Sequence, residues 1–429
     1  MSSMNGDRVV IVNGARTPFA RARSVYQKMP ASALGGIPLR ETIARSDLDP
    51  KLVEEVYYGI VSSPAEGTNV AREALFDSGL PPTIPCTTIN RYCASAMEAA
   101  AGIAAKIQSG QISVGIAGGV ESISSIRALF SQKATDYFQD IARAKTAGQR
   151  LGMLSQFRPA LLAPHAPGIK EPTTNLSMGQ SADLMAREFN VSREEQDKFA
   201  LGSHQKAHAA WENGFFRTHV APVANPEGKV VERDTDVRAD STLEKLASLK
   251  PVFYKDGTIS AGNASPLTDG AAAVLMMSES RARELNMKPI GVVRSYAAAA
   301  IDIKKEALLI GPVYAIPRAL KAAGVTWKDL DLLEVHEAFA AQVLATVNAI
   351  ESAEFCKSKL GLDGPIGSVD FTKLNVHGGS VSIGHPFGAT GARMILQTLY
   401  GLRAKKKNLG LISVCAAGGL GSVMVLEAI

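Results

Sequence analysis

With 429 residues, 46% of them hydrophobic and 20% charged, the chain has the make-up of a folded protein with large cores, and disorder is excluded. Its length predicts two or three globular units, and 38 glycines beside only 6% aromatics favour close-packed helices and tight strand-to-helix turns, an α/β expectation. The net charge of +5 is scattered in singles and pairs, which points to a small anionic ligand and away from dedicated nucleic-acid binding.

Met1 to Gly6 are polar and the strand-like run Val9-Val10-Ile11-Val12 follows almost at once, so no signal or transit peptide is expected. No apolar stretch is long enough to span a bilayer. Residues 37–57 read as Ile-Pro, an amphipathic helical stretch, a polar turn with Asp and a β-leaning run, and residues 316–336 repeat that order. A second echo sets Gly115 to Gly119 beside Cys415 to Gly419, each at the end of an apolar strand pattern. Together they predict two copies of one α/β half. Pro85 to Asn90 reads as a strand running into Cys93, and Ala94 to Gln108 as a helix ended by Gly110.

Glu121 to Lys250 breaks this pattern. Pro-punctuated, charged and helix-leaning, it predicts an inserted loop domain (121–250) between a first half made of residues 1–120 with 251–285 and a second half of 286–429. Within it, a helix from Ser192 to Asn213 opens on the capping-box pair Ser192 and Glu195. Residues 121–170 carry seven Lys/Arg against three Asp/Glu, interleaved with Leu, Ile, Phe and Met. A solvated helical pair is preferred there over a membrane-surface or partner contact. Beyond a turn at Gly257 to Ser260, strand patterns occupy Ala272 to Met277, Leu332 to Val335 and Phe371 to Val376. His385 follows in a glycine-rich turn, then a helix from Ala389 to Leu402, and the basic run Arg403 to Lys407 sets cations at that helix's C-terminus.

The four cysteines, Cys86, Cys93, Cys356 and Cys415, make no CxxC or close Cys/His pair, so neither disulfides nor structural zinc is expected, and a reducing cytoplasm is the simplest home. Cys93 falls at the first turn of a predicted helix, whose dipole and free N–H groups favour thiolate; on residue type alone it reads as packing. Three features favour chemistry. His385 can take a proton from a thiol near neutral pH. Cys415 ends a strand beside Ala416-Ala417-Gly418-Gly419, a backbone able to present N–H donors, and His336-Glu337 directly follows the Leu332 to Val335 strand. Two cysteines and two histidines at strand ends suit acyl transfer through a thioester, with Cys86 and Cys356 left as packing residues.

These motifs, Asn90-Arg91-Tyr92-Cys93-Ala94-Ser95, the glycine-rich run Asn375 to Gly391, and Cys415 to Gly419, in that order, resemble those of the thiolases over essentially the whole chain. Val335-His336-Glu337-Ala338-Phe339 and the Cys-Ala-Ala-Gly-Gly form make the sequence most similar to the β-subunit of the fatty acid β-oxidation trifunctional complex, because most thiolases have Asn at the position of His336. The resemblance implies duplicated βαβαβαββ halves in an αβαβα layered arrangement with an inserted loop domain. It implies a 3-ketoacyl-CoA thiolase (acetyl-CoA C-acyltransferase) working by a ping-pong route, with a short-chain acetyl-CoA acetyltransferase acting in condensation as the alternative. Carried onto this chain, Cys93 is the nucleophile, His385 its base and Cys415 the general acid/base. His336 and His385 make one oxyanion hole, and the backbone N–H groups of Cys93 and Ala417 the other. Arg238, Ser265, Met178 and Phe339 are the implied CoA contacts.

By the same resemblance CoA and acyl-CoA are substrates, with no metal or bound cofactor. The implied partners are a second copy in a homodimer or higher homo-oligomer, and an α-subunit with enoyl-CoA hydratase and 3-hydroxyacyl-CoA dehydrogenase activities. A decarboxylating ketoacyl synthase is expected to lack the second cysteine, and a non-catalytic lipid-binding relative to have lost a reactive residue. His377 reads as structural, and His165, His204, His208 and His219 as surface residues.

Overall fold

The computed structural model describes residues 7–65, 67–127, 129–163 and 170–429; Met1 to Gly6 and His165 lie outside the described residues. Ile126–Lys170 forms one compact unit, and the rest of the chain another. The larger unit begins with β1 (Val9–Arg16), β2 (Ala20–Arg21), α1 (Ala31–Ser46), β3 (Glu55–Gly59), α2 (Val70–Ser78), β4 (Cys86–Ile89), α3 (Ser95–Gln108) and β5 (Val114–Glu121). The smaller holds α4 (Gln132–Arg143) and α5 (Ala147–Leu154). The larger unit resumes with α6 (Met178–Glu188), α7 (Arg193–Glu212), a hairpin of β6 (Val223–Ala224) and β7 (Val230–Val231), α8 (Leu243–Ala247) and β8 (Thr268–Ser278). Its second half follows: α9 (Glu279–Glu284), β9 (Gly291–Ala300), α10 (Gly311–Ala323), β10 (Leu332–Val335), α11 (Ala340–Glu351), α12 (Ala353–Leu360), α13 (Ser380–Ile383), α14 (Thr390–Lys405), β11 (Leu409–Ala416) and β12 (Leu420–Ala428).

One sheet runs β10-β11-β12-β9-β1-β8-β5-β3-β4, with β2 added on β8. β3 is parallel to β4 and β5, and β5 is antiparallel to β8. The second half repeats this, β10 parallel to β11 and β11 antiparallel to β12, with a lone parallel bridge from Leu333 to Leu374 in the place of β4. The first sequence echo is therefore structural, since α1 leads into β3 as α10 leads into β10. The second echo is out of register. Gly115 pairs with Glu55 at the start of β3, whereas Cys415 lies two residues beyond Ser413, the partner of Val335 at the end of β10. The glycines recur for different reasons: a Cβ on Gly119 would sit 1.9 Å from the Gly388 carbonyl oxygen, while Gly418 and Gly419 turn the chain at φ 73° and 70°.

Helices α3 and α14 share one apolar cluster with Val9, Ile11, Val274 and Met276 of the first half and Ile412, Val414 and Met424 of the second. They pass close together, a Cβ on Gly391 falling 2.5 Å from the Met97 nitrogen. The outer faces of the two halves pack separately, on α1 and α2 and on α10 and α11. Helices α3 and α14 thus pair on one face of the sheet and the remaining helices cover the other face of each half, and the starts of α3 and α14 come to one place.

The expected strand over Phe371 to Val376 is reduced to Leu374, because Asn375 takes φ 44°. Its side-chain amide replaces strand pairing, accepting from the Val335 N–H and donating to the Val335 carbonyl at 2.8 Å each. The helix opened by Ser192 forms as expected, with Glu195 closing the capping box. The segment read as one insertion over 121–250 is divided: 171–250 lies in the larger unit, anchored by a fully buried pair in which Arg16 Nη1 and Nη2 donate to Asp234 at 2.6 and 2.8 Å. In the smaller unit Tyr137 packs on Phe138 and Phe157, and Phe130, Leu151 and Leu154 are exposed. No described helix is long and apolar enough to cross a membrane.

Candidate active site

Cys93 lies two residues ahead of α3, in an elbow closed by the Ser95 hydroxyl, which accepts from the Arg91 N–H at 2.8 Å and donates to the Tyr92 carbonyl at 2.6 Å. Tyr92 has φ 47°, a strained value for a ring-bearing residue, and it turns the chain so that the thiol is presented. The backbone N–H groups of Cys93 and Ala417 lie against the sulfur. Burial, reinforced by the Glu121 carboxylate, pushes the thiol up to about 12, the reverse of the helix-dipole expectation. A dipole supplies about 0.3–1 kcal/mol, while three pH units against the thiolate amount to about 4 kcal/mol. Desolvation wins, and the resting group is a thiol.

Glu121, absent from the sequence reading as a site residue, ends β5. Its carboxylate accepts from the N–H groups of Val61, Ser62 and Gly388 at 3.1, 2.9 and 3.0 Å, pinning the His385 loop to the first half. Burial raises it to about 7 against those three donors. An acidic residue closing an eight-residue strand that is buried throughout was the available signal.

The two histidines form a directed chain. Arg393 can only donate, so its Nη2 gives a hydrogen bond to Ser380 Oγ at 3.0 Å, and the Ser380 hydroxyl is free to donate to His336 Nδ1 at 3.1 Å. With Ser380 as donor the His336 proton sits on Nε2, 3.2 Å from His385 Nε2, the direction that a lone pair on His385 Nε2 requires. On the other side Thr390 donates to the Pro386 carbonyl at 2.9 Å and accepts from His385 Nδ1 at 2.7 Å. His385 Nε2 therefore holds a lone pair, fixed by partners on both rings. Burial and the Arg393 charge lower His385 to about 3, and burial, His385 and Arg393 hold His336 well below the usual histidine range. Arg393 itself is paired with Glu334 at 2.6 Å.

Cys415 is buried at the end of β11, its thiol held well above the usual range by burial and by Cys93. Arg238 lines a cleft with Arg21, His204, Asp236 and Ala264, and its N–H donates to His204 Nδ1 at 3.2 Å. Ser265 donates its N–H to the Ala338 carbonyl at 3.0 Å, and Ala264 bridges to Phe339. Phe339 packs edge-on to Phe253 and, with Met178, belongs to one apolar cluster. Cys356 is packed in the interior and Cys86 is half-buried. Among the described residues no group of His, Cys, Asp and Glu could hold a metal.

His204 and His219 are buried, not surface residues: the first caps the Arg238 N–H and the second stacks on Tyr400. His377 stacks on Phe215 at 3.5 Å and is lowered to about 4 by burial, Lys405 and Lys206. A base depressed in the fold contributes stability above its unfolded value of 6.5 that is lost as pH falls towards 4. His377→Phe, which keeps the stack, is expected to gain about 2 kcal/mol on the parent protein between pH 8 and pH 5. Urea midpoints at the two pH values measure this, and an unchanged difference would refute it.

Comparison with known proteins follows the same division into halves. The family model described as thiolase, N-terminal domain, matches residues 9–280, and that of thiolase, C-terminal domain, residues 287–428. The chain belongs to the thiolase family. Curated thiolases named 3-ketoacyl-CoA thiolase are 46% identical over 424 residues in Pectobacterium carotovorum, covering 98% of this chain and 97% of the relative, and 44% identical over 425 residues in Escherichia fergusonii, covering 99% and 97%. Among solved thiolase-fold structures, human mitochondrial 3-ketoacyl-CoA thiolase superposes with a TM-score of 0.82 at 30% identity over 99% of both chains. The acetyl-CoA acetyltransferase of Bacillus anthracis does so at 0.84, with 33% identity over all of both chains.

Proposed function

We propose that this thiolase is a 3-ketoacyl-CoA thiolase that cleaves 3-ketoacyl-CoA with CoA into acetyl-CoA and an acyl-CoA two carbons shorter. The observation that carries this is the fixed lone pair on His385 Nε2, facing a His336 N–H, on a loop that the close pass of α3 and α14 brings towards the Cys93 elbow, with Cys93 and Cys415 both resting as thiols. The full-length relatives named 3-ketoacyl-CoA thiolase support the same substrate class over short-chain condensation.

In this reading the Cys93 proton passes to His385 Nε2 as sulfur attacks the 3-keto carbon, whose oxyanion meets the N–H groups of Cys93 and Ala417. The carbon–carbon bond then breaks and its electron pair enters the thioester enolate, whose oxygen lies between the Nε2–H groups of His336 and His385. Cys415 gives its proton to the enolate carbon. The Cys415 thiolate next removes the proton of incoming CoA, which attacks the S-acyl carbonyl and releases Cys93, and His385 returns its proton to the departing sulfur. Arg238 supplies a cation for the CoA phosphates in a cleft where Arg21 is paired with Asp236, and Ser265, Met178 and Phe339 flank the pantetheine. A second copy of the chain and an α-subunit with hydratase and dehydrogenase activities complete the proposed assembly, in the cytoplasm. Mass spectrometry after mixing with an acyl-CoA tests the reading: an acyl adduct on Cys93 is expected, and its absence would overturn it.

A further inference from the structure

We propose that Glu171 is a positioning residue for the turn that presents the Ala417 N–H to the acyl carbon; the proposal rests on the thiolase reading above. The turn joins β11 to β12 and carries Cys415 at one end. Glu171 enters it from far away in sequence, its Oε2 accepting from the Gly418 N–H at 2.8 Å. The residue is 4% exposed, and its Oε1 also takes the Thr173 N–H at 3.4 Å. Its own backbone is tied down, because Glu171 donates to the Leu176 carbonyl and Asn175 donates to the Glu171 carbonyl, both at 2.8 Å. A closed loop of six residues thus holds one carboxylate against one peptide of the turn.

That peptide directly follows the one that carries the proposed oxyanion-hole donor, the Ala417 N–H, and shares the Ala417 Cα with it. The N–H groups of Ala417 and Gly418 have different partners, the first against the Cys93 sulfur and the second on Glu171, and Gly418 at φ 73° then turns the chain away. On the far side the Ile301 N–H donates to the Gly419 carbonyl at 3.1 Å. Held from both sides, the turn cannot rotate its Ala417 N–H away from the acyl carbon. A hydrogen bond to a carboxylate is about twice as strong as a neutral one, and without it the glycine-rich turn is free to shift as a whole and carry the Ala417 Cα, and with it the Ala417 N–H, out of place. Glu171 meets the turn through the Gly418 N–H, so its proposed effect reaches the reaction through the position of Ala417.

The test separates a reaction that needs the oxyanion hole from one that does not. In Glu171→Ala, acylation of Cys93 by an acyl-CoA is expected to slow by about 10- to 100-fold, a fraction of the effect of losing a donor outright. Alkylation of Cys93 by iodoacetamide forms no oxyanion and loses only the Ala417 N–H contact to sulfur, so it is expected to fall by less than about fivefold, clearly less than acylation. Glu171→Gln keeps an acceptor at the same reach and is expected to restore most of the acylation rate. Glu171→Asp keeps the charge but withdraws the acceptor by one methylene, and is expected to be slower than the Gln variant. Equal acylation rates in the Ala variant and the parent protein overturn the proposal, as does a parallel fall of acylation and alkylation, or an Asp variant faster than the Gln variant. A parent protein that forms no adduct at all overturns the thiolase reading, and this proposal with it.

Discussion

His385→Asn is expected to lower kcat by about three to four orders of magnitude, with the variant folded and still able to bind CoA. The proposed base loses its lone pair, and an amide that can still donate a hydrogen bond cannot take the proton of Cys93. The size of the effect follows from how far the thiol lies from spontaneous ionisation. With Cys93 pushed up to about 12, the thiolate fraction at neutral pH is about one part in 10⁵. In the parent protein His385, lowered to about 3, is neutral throughout the neutral range, so the base is always available but never holds the proton in the resting state. Proton transfer must then accompany attack, when the sulfur is losing charge to the carbonyl. The variant has only solvent hydroxide for this, so its acylation rate should climb about tenfold for each pH unit between 7 and 9. Single-turnover acylation followed by mass spectrometry measures both the rate and the slope. A variant within tenfold of the parent, or one with no slope, would remove His385 from the role of base.

The layout of the two halves was legible because helix caps and strand patterns are local. Ser192 with Glu195, the Ala-rich run into Gly110, and Leu332 to Val335 all formed as read, each signal lying within a few residues of the structure it makes. What could not be read is tertiary. In sequence Glu121 reads only as the first residue of an insertion, since nothing near it reveals Gly388 as its partner. Arg393 looked like an ordinary helix residue, yet it is fully buried and, through Ser380, sets the tautomer of a histidine on another element. Thr390 was nearer to hand: five residues after His385 and first in α14, it is placed to fix the ring, a relation that spacing could have suggested. Electrostatics was the least legible. The helix-start rule gave the wrong sign for Cys93 because it counts the dipole and leaves out the water that folding removes.

The position of His336 carries the second large expectation. His336→Phe should reduce thiolysis of a 3-ketoacyl-CoA by about 10²- to 10³-fold, the effect of deleting one oxyanion donor worth about 3–4 kcal/mol. The proton on His336 Nε2 is what matters. At rest it points at the His385 lone pair 3.2 Å away, a bond between two neutral rings. Once His385 has taken the Cys93 proton that lone pair is gone, and two N–H groups face one another with no acceptor between them. The enolate oxygen is the acceptor that relieves this, so the pair is poorly satisfied until the carbon–carbon bond breaks and binds the developing charge more tightly than the substrate. A phenyl ring keeps the aromatic packing of the buried site and removes the donor. Acylation of Cys93 by a simple acyl-CoA develops no enolate, so it should change by less than about threefold in the same variant. Loss of both reactions together would mean that His336 supports the fold of the site and not the enolate, and loss of neither would leave His385 as the sole donor to that oxygen.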